Sequence, residues 1–166
     1  MDCSDLIESI LVNEGGYVDH PADRGGPTNH GITLATLSDW RGAPVTAADI
    51  EALTRDEARR IYRRRYIEDP KFDRIADPDL RRVVVDAGVL HGTSWASRRL
   101  QEIASAAVDG VIGDRTLAKV NGHPDPDELR RAFVRRRIVA IGRIVQRDPS
   151  QAVFVVGWLN RATSFI

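Results

Sequence analysis

The sequence predicts a mainly α chain of one domain, residues 1–166, with a small loop or β-hairpin inserted near its N-terminus. Three observations predict it. Apolar residues recur at helical spacing through most of the chain. Asp-Pro and Ser/Thr entry signals recur before these stripes. Between Gly15 and Thr33 there is one stretch dominated by Gly, Pro, Asp and Asn, which reads as loop or irregular hairpin.

Taken in order, Ser4 or Asp5 opens a first helix with the stripe Leu6, Ile7, Ile10 and Leu11, and Gly15-Gly16 closes it. After the Gly-rich stretch a short helix carries Leu34, Leu37 and Trp40. Thr54-Arg55-Asp56-Glu57 reads as a capping box for a helix through Ala58, Ile61, Tyr62 and Tyr66 that stops before Pro70. Asp77-Pro78 opens the next helix, with Leu80, Val83, Val84, Ala87 and Leu90 inward. Another starts near Ser94 and buries Leu100 and Ile103. Asp109-Gly110 and Gly113 mark a turn, and Asp114 caps a short helix. Asp125-Pro126 begins a long helix through Phe133, Ala140, Ile144 and Val145 that Asp148-Pro149 breaks. Ser150 then caps a last helix, in which the apolar run from Val153 to Leu159, Trp158 included, is expected to be buried.

Composition excludes several classes of function. With 42% hydrophobic and 29% charged residues the chain is an ordinary globular one. Net charge is zero, so nothing global draws it to nucleic acid; the arginines at 130, 131, 135, 136 and 137 read as a solvated helix face. Cys3 is the single cysteine, which rules out an internal disulfide framework. The N-terminus lacks the basic start and apolar stretch of a signal peptide, and no run approaches the ~18 apolar residues of a membrane span. The expectation is synthesis in the cytoplasm, action after release elsewhere, no stable membrane insertion and a monomeric state.

Chemistry concentrates between Glu14 and Thr33. Glu14 continues the inward stripe of the first helix and sits at its C-terminus. Burial and the negative end of the helix dipole both disfavour its anion, which suits a general acid near neutral pH. Asp23 offers a second carboxylate across the glycine-rich loop. Two carboxyls in unlike environments are the minimum apparatus for hydrolysing a glycosidic bond. On this reading activity follows a bell in pH, rising as Asp23 deprotonates and falling as Glu14 does.

The stretch Glu14-Gly15-Gly16-Tyr17 followed by Asp19-His20-Pro21-Ala22-Asp23-Arg24-Gly25-Gly26-Pro27-Thr28-Asn29-His30-Gly31-Ile32-Thr33 resembles the signature of glycoside hydrolase family 108, the bacterial and phage N-acetylmuramidases. The Glu14–Asp23–Thr28 spacing is also similar to the catalytic triad of the T-even phage lysozymes, one residue shorter before the threonine. The resemblance implies a lysozyme-like fold with the loop or hairpin beside an active-site cleft. It implies Glu14 as the acid, Asp23 as second carboxylate and Thr28 as the residue that positions water. Tyr17, Asp19, His30 and Thr33 become candidate substrate contacts. The family has Asn-Asp-Pro where this chain has Asp19-His20-Pro21; the aspartate is displaced by one position, which favours Asp23 as the partner of Glu14.

Further along, Ile61-Tyr62 with Tyr66, then Asp86 with His91-Gly92, Leu100-Gln101, Asp109 to Gly113 with Thr116-Leu117, and Gly157 to Arg161 resemble the C-terminal half of the same enzymes, a predicted peptidoglycan-binding region. Asp86 and His91 are the candidate substrate contacts there. The implied organisation is a catalytic part over residues 1–85 and a helical part over 86–166. The implied partner is the peptidoglycan glycan strand, cut between N-acetylmuramic acid and N-acetylglucosamine by an endolysin needing no cofactor or metal. Two alternatives stand beside it. Asp19, His20, Asp23 and His30 are possible metal ligands of a wall amidase or peptidase, and the stretch from Asp109 to Leu117 is compatible with a wall-binding module without catalysis.

Overall fold

The computed structural model describes residues 3–18 and 26–166; the side chains of residues 3, 4, 13 and 14 lie outside that description. The architecture is mainly α and lysozyme-like, with one two-stranded antiparallel sheet among the described residues. Packing divides the chain into two compact units, residues 1–65 and 66–166, whereas the sequence suggests two parts meeting after residue 85.

In the N-terminal unit, α1 (Cys3–Glu14) buries Leu6, Ile7, Ile10 and Leu11, each at most 4% exposed, as the helical stripe predicts. Strands β1 (Thr28–Asn29) and β2 (Ile32–Thr33) follow, then α2 (Leu34–Arg41), α3 (Ala47–Glu51) and α4 (Arg55–Arg63). Against α1 packs α4, and Glu8 accepts hydrogen bonds from Arg55 (2.9 Å) and Arg59. Those two guanidiniums hold the Glu8 carboxyl below its ordinary range.

The short helix α3 has no clear apolar stripe to announce it, and its true capping box is Thr46 with Asp49. At the start of α4 Thr54 does cap the Glu57 N–H (3.2 Å). The Glu57 carboxylate turns instead to the Arg41 guanidinium, at 2.9 and 3.1 Å, because a bidentate charged partner outcompetes a backbone N–H.

The C-terminal unit is helical. A π-helical turn (Arg64–Glu68), inside which the unit boundary falls, and a 3-10 turn (Phe72–Arg74) precede α5 (Pro78–His91) and α6 (Thr93–Ile103). After these come α7 (Asp114–Asn121), α8 (Pro126–Arg147), a 3-10 turn (Pro149–Phe154) and α9 (Val155–Thr163). Both Asp-Pro entries behave as expected: Asp77 accepts from Leu80 N at 2.7 Å and Asp125 from Glu128 N at 2.9 Å. At α7 the cap position is Gly113 and Asp114 is the first helical residue. At the chain end Asp148, rather than Ser150, supplies the cap, accepting from the backbone N–H and hydroxyl of Ser150.

The apolar run near the C-terminus departs most from expectation. Val153, Phe154 and Val156 are 79%, 53% and 67% exposed. Seven consecutive apolar residues wound into helical turns point in every direction, while packing covers only one side. Ala162 is the buried residue of α9, and Trp158 is only half-buried.

A buried amide organises the turn between α6 and α7. Gln101, fully buried, accepts from Gly110 N (2.8 Å) and donates to Asp109 Oδ1 (2.7 Å), Val111 O (3.0 Å) and Thr116 Oγ1 (3.3 Å). Gly110 sits at φ +85°, and a Cβ there would meet the Arg98 guanidinium at 3.2 Å, so the turn needs glycine twice over. Gln101→Leu is expected to destabilise the protein by about 1–2 kcal/mol, because it removes the hydrogen bonds that hold the turn and leaves the buried Thr116 hydroxyl without its amide partner. A urea-denaturation midpoint unchanged from wild type would reject this role.

Candidate active site

In the N-terminal unit the residues that the sequence singles out begin at the end of α1. Glu14 is the last helical residue, and α1 has no basic residue in its final turn to offset the dipole. Gly15, at φ +75°, turns the chain out of the helix. The chain then returns to the hairpin: Val18 N donates to Thr28 O at 2.8 Å and Thr28 N to Val18 O at 2.9 Å. This bridge pins the two sides of the segment containing Asp19, His20 and Asp23, three residues that lie outside the described ones.

The hairpin is tight. Thr28 pairs with Thr33 and Asn29 with Ile32, and the two connecting residues, His30 and Gly31, both have positive φ (52° and 73°), as a two-residue turn of matching twist requires. His30 Nδ1 lies 3.1 Å from the Gly15 carbonyl oxygen. A carbonyl only accepts, so Nδ1 carries the proton in this contact. Tyr62 donates to the His30 carbonyl at 3.1 Å from α4. Asn29, 5% exposed, donates to the carbonyls of Ile50 (3.0 Å) and Glu51 (3.2 Å) at the end of α3. Sequence reasoning gave Asn29 no role and placed Tyr62 only on the stripe of its helix; an Asn before a two-residue His-Gly turn was the available signal for the first.

The sequence candidates therefore have unlike surroundings. Tyr17 is 39% exposed and Thr28 half-buried on the hairpin. Thr33 caps α2, its hydroxyl accepting from Thr36 N and donating to Thr36 Oγ1, both at 3.2 Å. That geometry gives it a capping role at the start of α2.

In the C-terminal unit, Asp86 requires a correction. It is 1% exposed, and its carboxylate meets Arg137 at 2.7 Å and Arg161 at 2.7 and 3.0 Å. Asp86 is thus the anion of a buried ion cluster joining α5, α8 and α9, and no face of it is left for substrate. His91 ends α5 and tilts against Trp95, ring centroids 4.6 Å apart. Burial, with the nearby Arg137 charge, holds its imidazole below the ordinary histidine range, and Asp86 opposes this only in part. Among the described residues no three His, Cys, Asp or Glu side chains converge as a metal site, and no helix is long and apolar enough to cross a membrane.

Residues 7–92, which contain the whole Glu14 segment and hairpin, match the model of the glycosyl hydrolase 108 family. The chain belongs to glycosyl hydrolase family 108. Residues 95–163 match a second model, described as a predicted peptidoglycan domain. The family chain is also similar to a solved structure described as Brucella abortus SagA, with 33% identity and a TM-score of 0.78 over 98% of this chain and 90% of that one. Comparison with curated proteins finds no match. This family 108 member is a glycoside hydrolase acting on peptidoglycan. Backbone bridges between Val18 and Thr28 and the His30–Gly15 contact hold the hairpin against the segment that follows α1.

Proposed function

We propose that the chain is an N-acetylmuramidase, cutting the β-1,4 bond between N-acetylmuramic acid and N-acetylglucosamine, and that it serves as a phage or prophage endolysin. It is made in the cytoplasm and acts on the wall after release by a separate protein. The observation that carries the reading is the His30–Gly15 hydrogen bond, which ties the hairpin turn to the residue that follows Glu14.

In the reaction Glu14, protonated, donates to the glycosidic oxygen as the bond to the anomeric carbon breaks. Asp23, ionised, faces the developing oxocarbenium charge or takes a proton from water, and Thr28 orients that water. The products are a new reducing end and a shortened strand. Glu14 regains its proton from solvent or from the attacking water by way of Asp23.

The test is the chemistry of the new ends. Mass analysis of purified peptidoglycan after digestion is expected to show reducing N-acetylmuramic acid. Reducing N-acetylglucosamine, or free stem peptide without new reducing ends, would replace the proposal by a glucosaminidase or an amidase. On the same substrate Asp23→Ala is expected to lose about 10²–10³ in rate, far more than Asp19→Ala. Equal losses, or a larger one at Asp19, would mean that the partner carboxylate is the displaced Asp19.

A further inference from the structure

Within the C-terminal unit a cavity of about 100 Å³ is lined by Leu90, His91, Arg137, Ile141, Ile144 and Trp158. Half of its lining residues are aliphatic, yet two polar groups on it are unsatisfied. Arg137 Nε and Nη1 and His91 Nε2 are buried and have no hydrogen-bond partner. The Arg137 side chain is 1% exposed; its Nη2 meets Asp86 at 2.7 Å and its guanidinium lies over the Phe165 ring, 5.5 Å from the centroid. A buried N–H without an acceptor is unfavourable, so the two Arg137 donors favour any ligand that brings an acceptor.

Size decides what enters. Sites for whole ligands are several times larger, about 300–1,000 Å³. The cavity therefore takes one substituent of a molecule whose remainder lies outside. At the rim Trp158 is half-buried and tilts against Phe154, 53% exposed, with ring centroids 5.7 Å apart. An aromatic face of this kind suits the apolar face of a sugar ring.

The substituent must offer an oxygen to Arg137, which only donates, and a methyl-sized apolar part to Leu90, Ile141 and Ile144. An acetamido group has both, with an N–H for a neutral imidazole in addition. A free carboxylate lacks the N–H, and Arg137 already has its counter-charge in Asp86; a plain hydroxyl lacks the methyl. We propose that this cavity is a subsite for the acetamido group of an N-acetylhexosamine, with the pyranose ring resting on Trp158. The proposal rests on the reading of the chain as a glycan-strand enzyme and adds a second sugar contact on α5, α8 and α9.

The test uses the full chain carrying Glu14→Gln, so that ligand survives. Chitotetraose is compared with cellotetraose, which differs by the acetamido groups. Saturation-transfer NMR is expected to place a strong contact at the acetyl methyl. In a variant keeping Trp158 as sole tryptophan (Trp40→Phe, Trp95→Phe), chitotetraose should shift the fluorescence and cellotetraose should not. Ile144→Phe, which fills the cavity, and Trp158→Ala should each weaken this contact about tenfold or more. Should the sole-tryptophan variant fail to fold, the NMR comparison on Ile144→Phe and Trp158→Ala carries the test alone. The proposal is overturned by an equal response to cellotetraose, by binding indifferent to Ile144→Phe, or by a stem peptide or acetate producing the response in place of the sugar. Its failure is separable from that of the muramidase reading. An Ile144-dependent chitotetraose contact without new N-acetylmuramic acid ends keeps the subsite and removes the muramidase; new ends without such a contact do the reverse.

Discussion

Glu14→Gln is expected to lower the rate of reducing-end release from peptidoglycan by about 10²–10⁴, the contribution of one positioned general acid, and to leave the fold intact. The amide fills the volume of the carboxyl and cannot give a proton. The stability side has a definite sign. A carboxyl whose native pKa is raised favours the fold fully below its unfolded value and loses that advantage as pH rises through the native one. On that expectation an ionised Glu14, at the C-terminal end of a helix with no basic residue in its last turn, would oppose folding at pH 7. The glutamine variant is therefore expected to melt at the wild-type temperature or slightly above it. Retention of more than about a hundredth of the activity would remove Glu14 as the acid. A melting temperature lower by several degrees would mean that the carboxylate is held ionised in a favourable contact.

Asp86→Asn is expected to be the most damaging single change to stability, at about 3–5 kcal/mol. The substitution keeps the shape and removes the charge, leaving Arg137, 1% exposed, without a counter-ion. Arg161, 31% exposed, retains some water and suffers less. Against a total stability of about 5–15 kcal/mol this is a large fraction, and a fall in melting temperature of about 10 °C or more should follow. Replacing both members, Asp86→Leu with Arg137→Met, should recover much of the loss, because no uncompensated charge is then buried. The pair of experiments also separates the structural role from the substrate contact that the sequence suggested. A variant that melts normally but shows a raised KM would restore Asp86 to the site.

The sequence by itself determined the helical class, most helix starts and the family to which the chain belongs. These are local properties. Stripes such as Leu6-Ile7-Ile10-Leu11 and entries such as Asp77-Pro78 act within one or two turns, so neighbours in sequence suffice to read them. The motif from Glu14 to Thr33 was legible because its residues lie close together along the chain, and the hairpin within it was expected as a loop or hairpin.

Tertiary structure alone decided the partnerships between distant residues. Arg137 and Arg161 meet Asp86 from 51 and 75 positions away. Asn29 closes the end of α3, and Arg41 draws Glu57 away from a cap it would otherwise complete. Which face of the apolar stretch from Val153 to Leu159 is covered was equally beyond local reading. Hydropathy states how much a side chain gains from burial, whereas the number of neighbours available to bury it is set by packing. Here that packing leaves Trp158 at the mouth of a cavity instead of in the core.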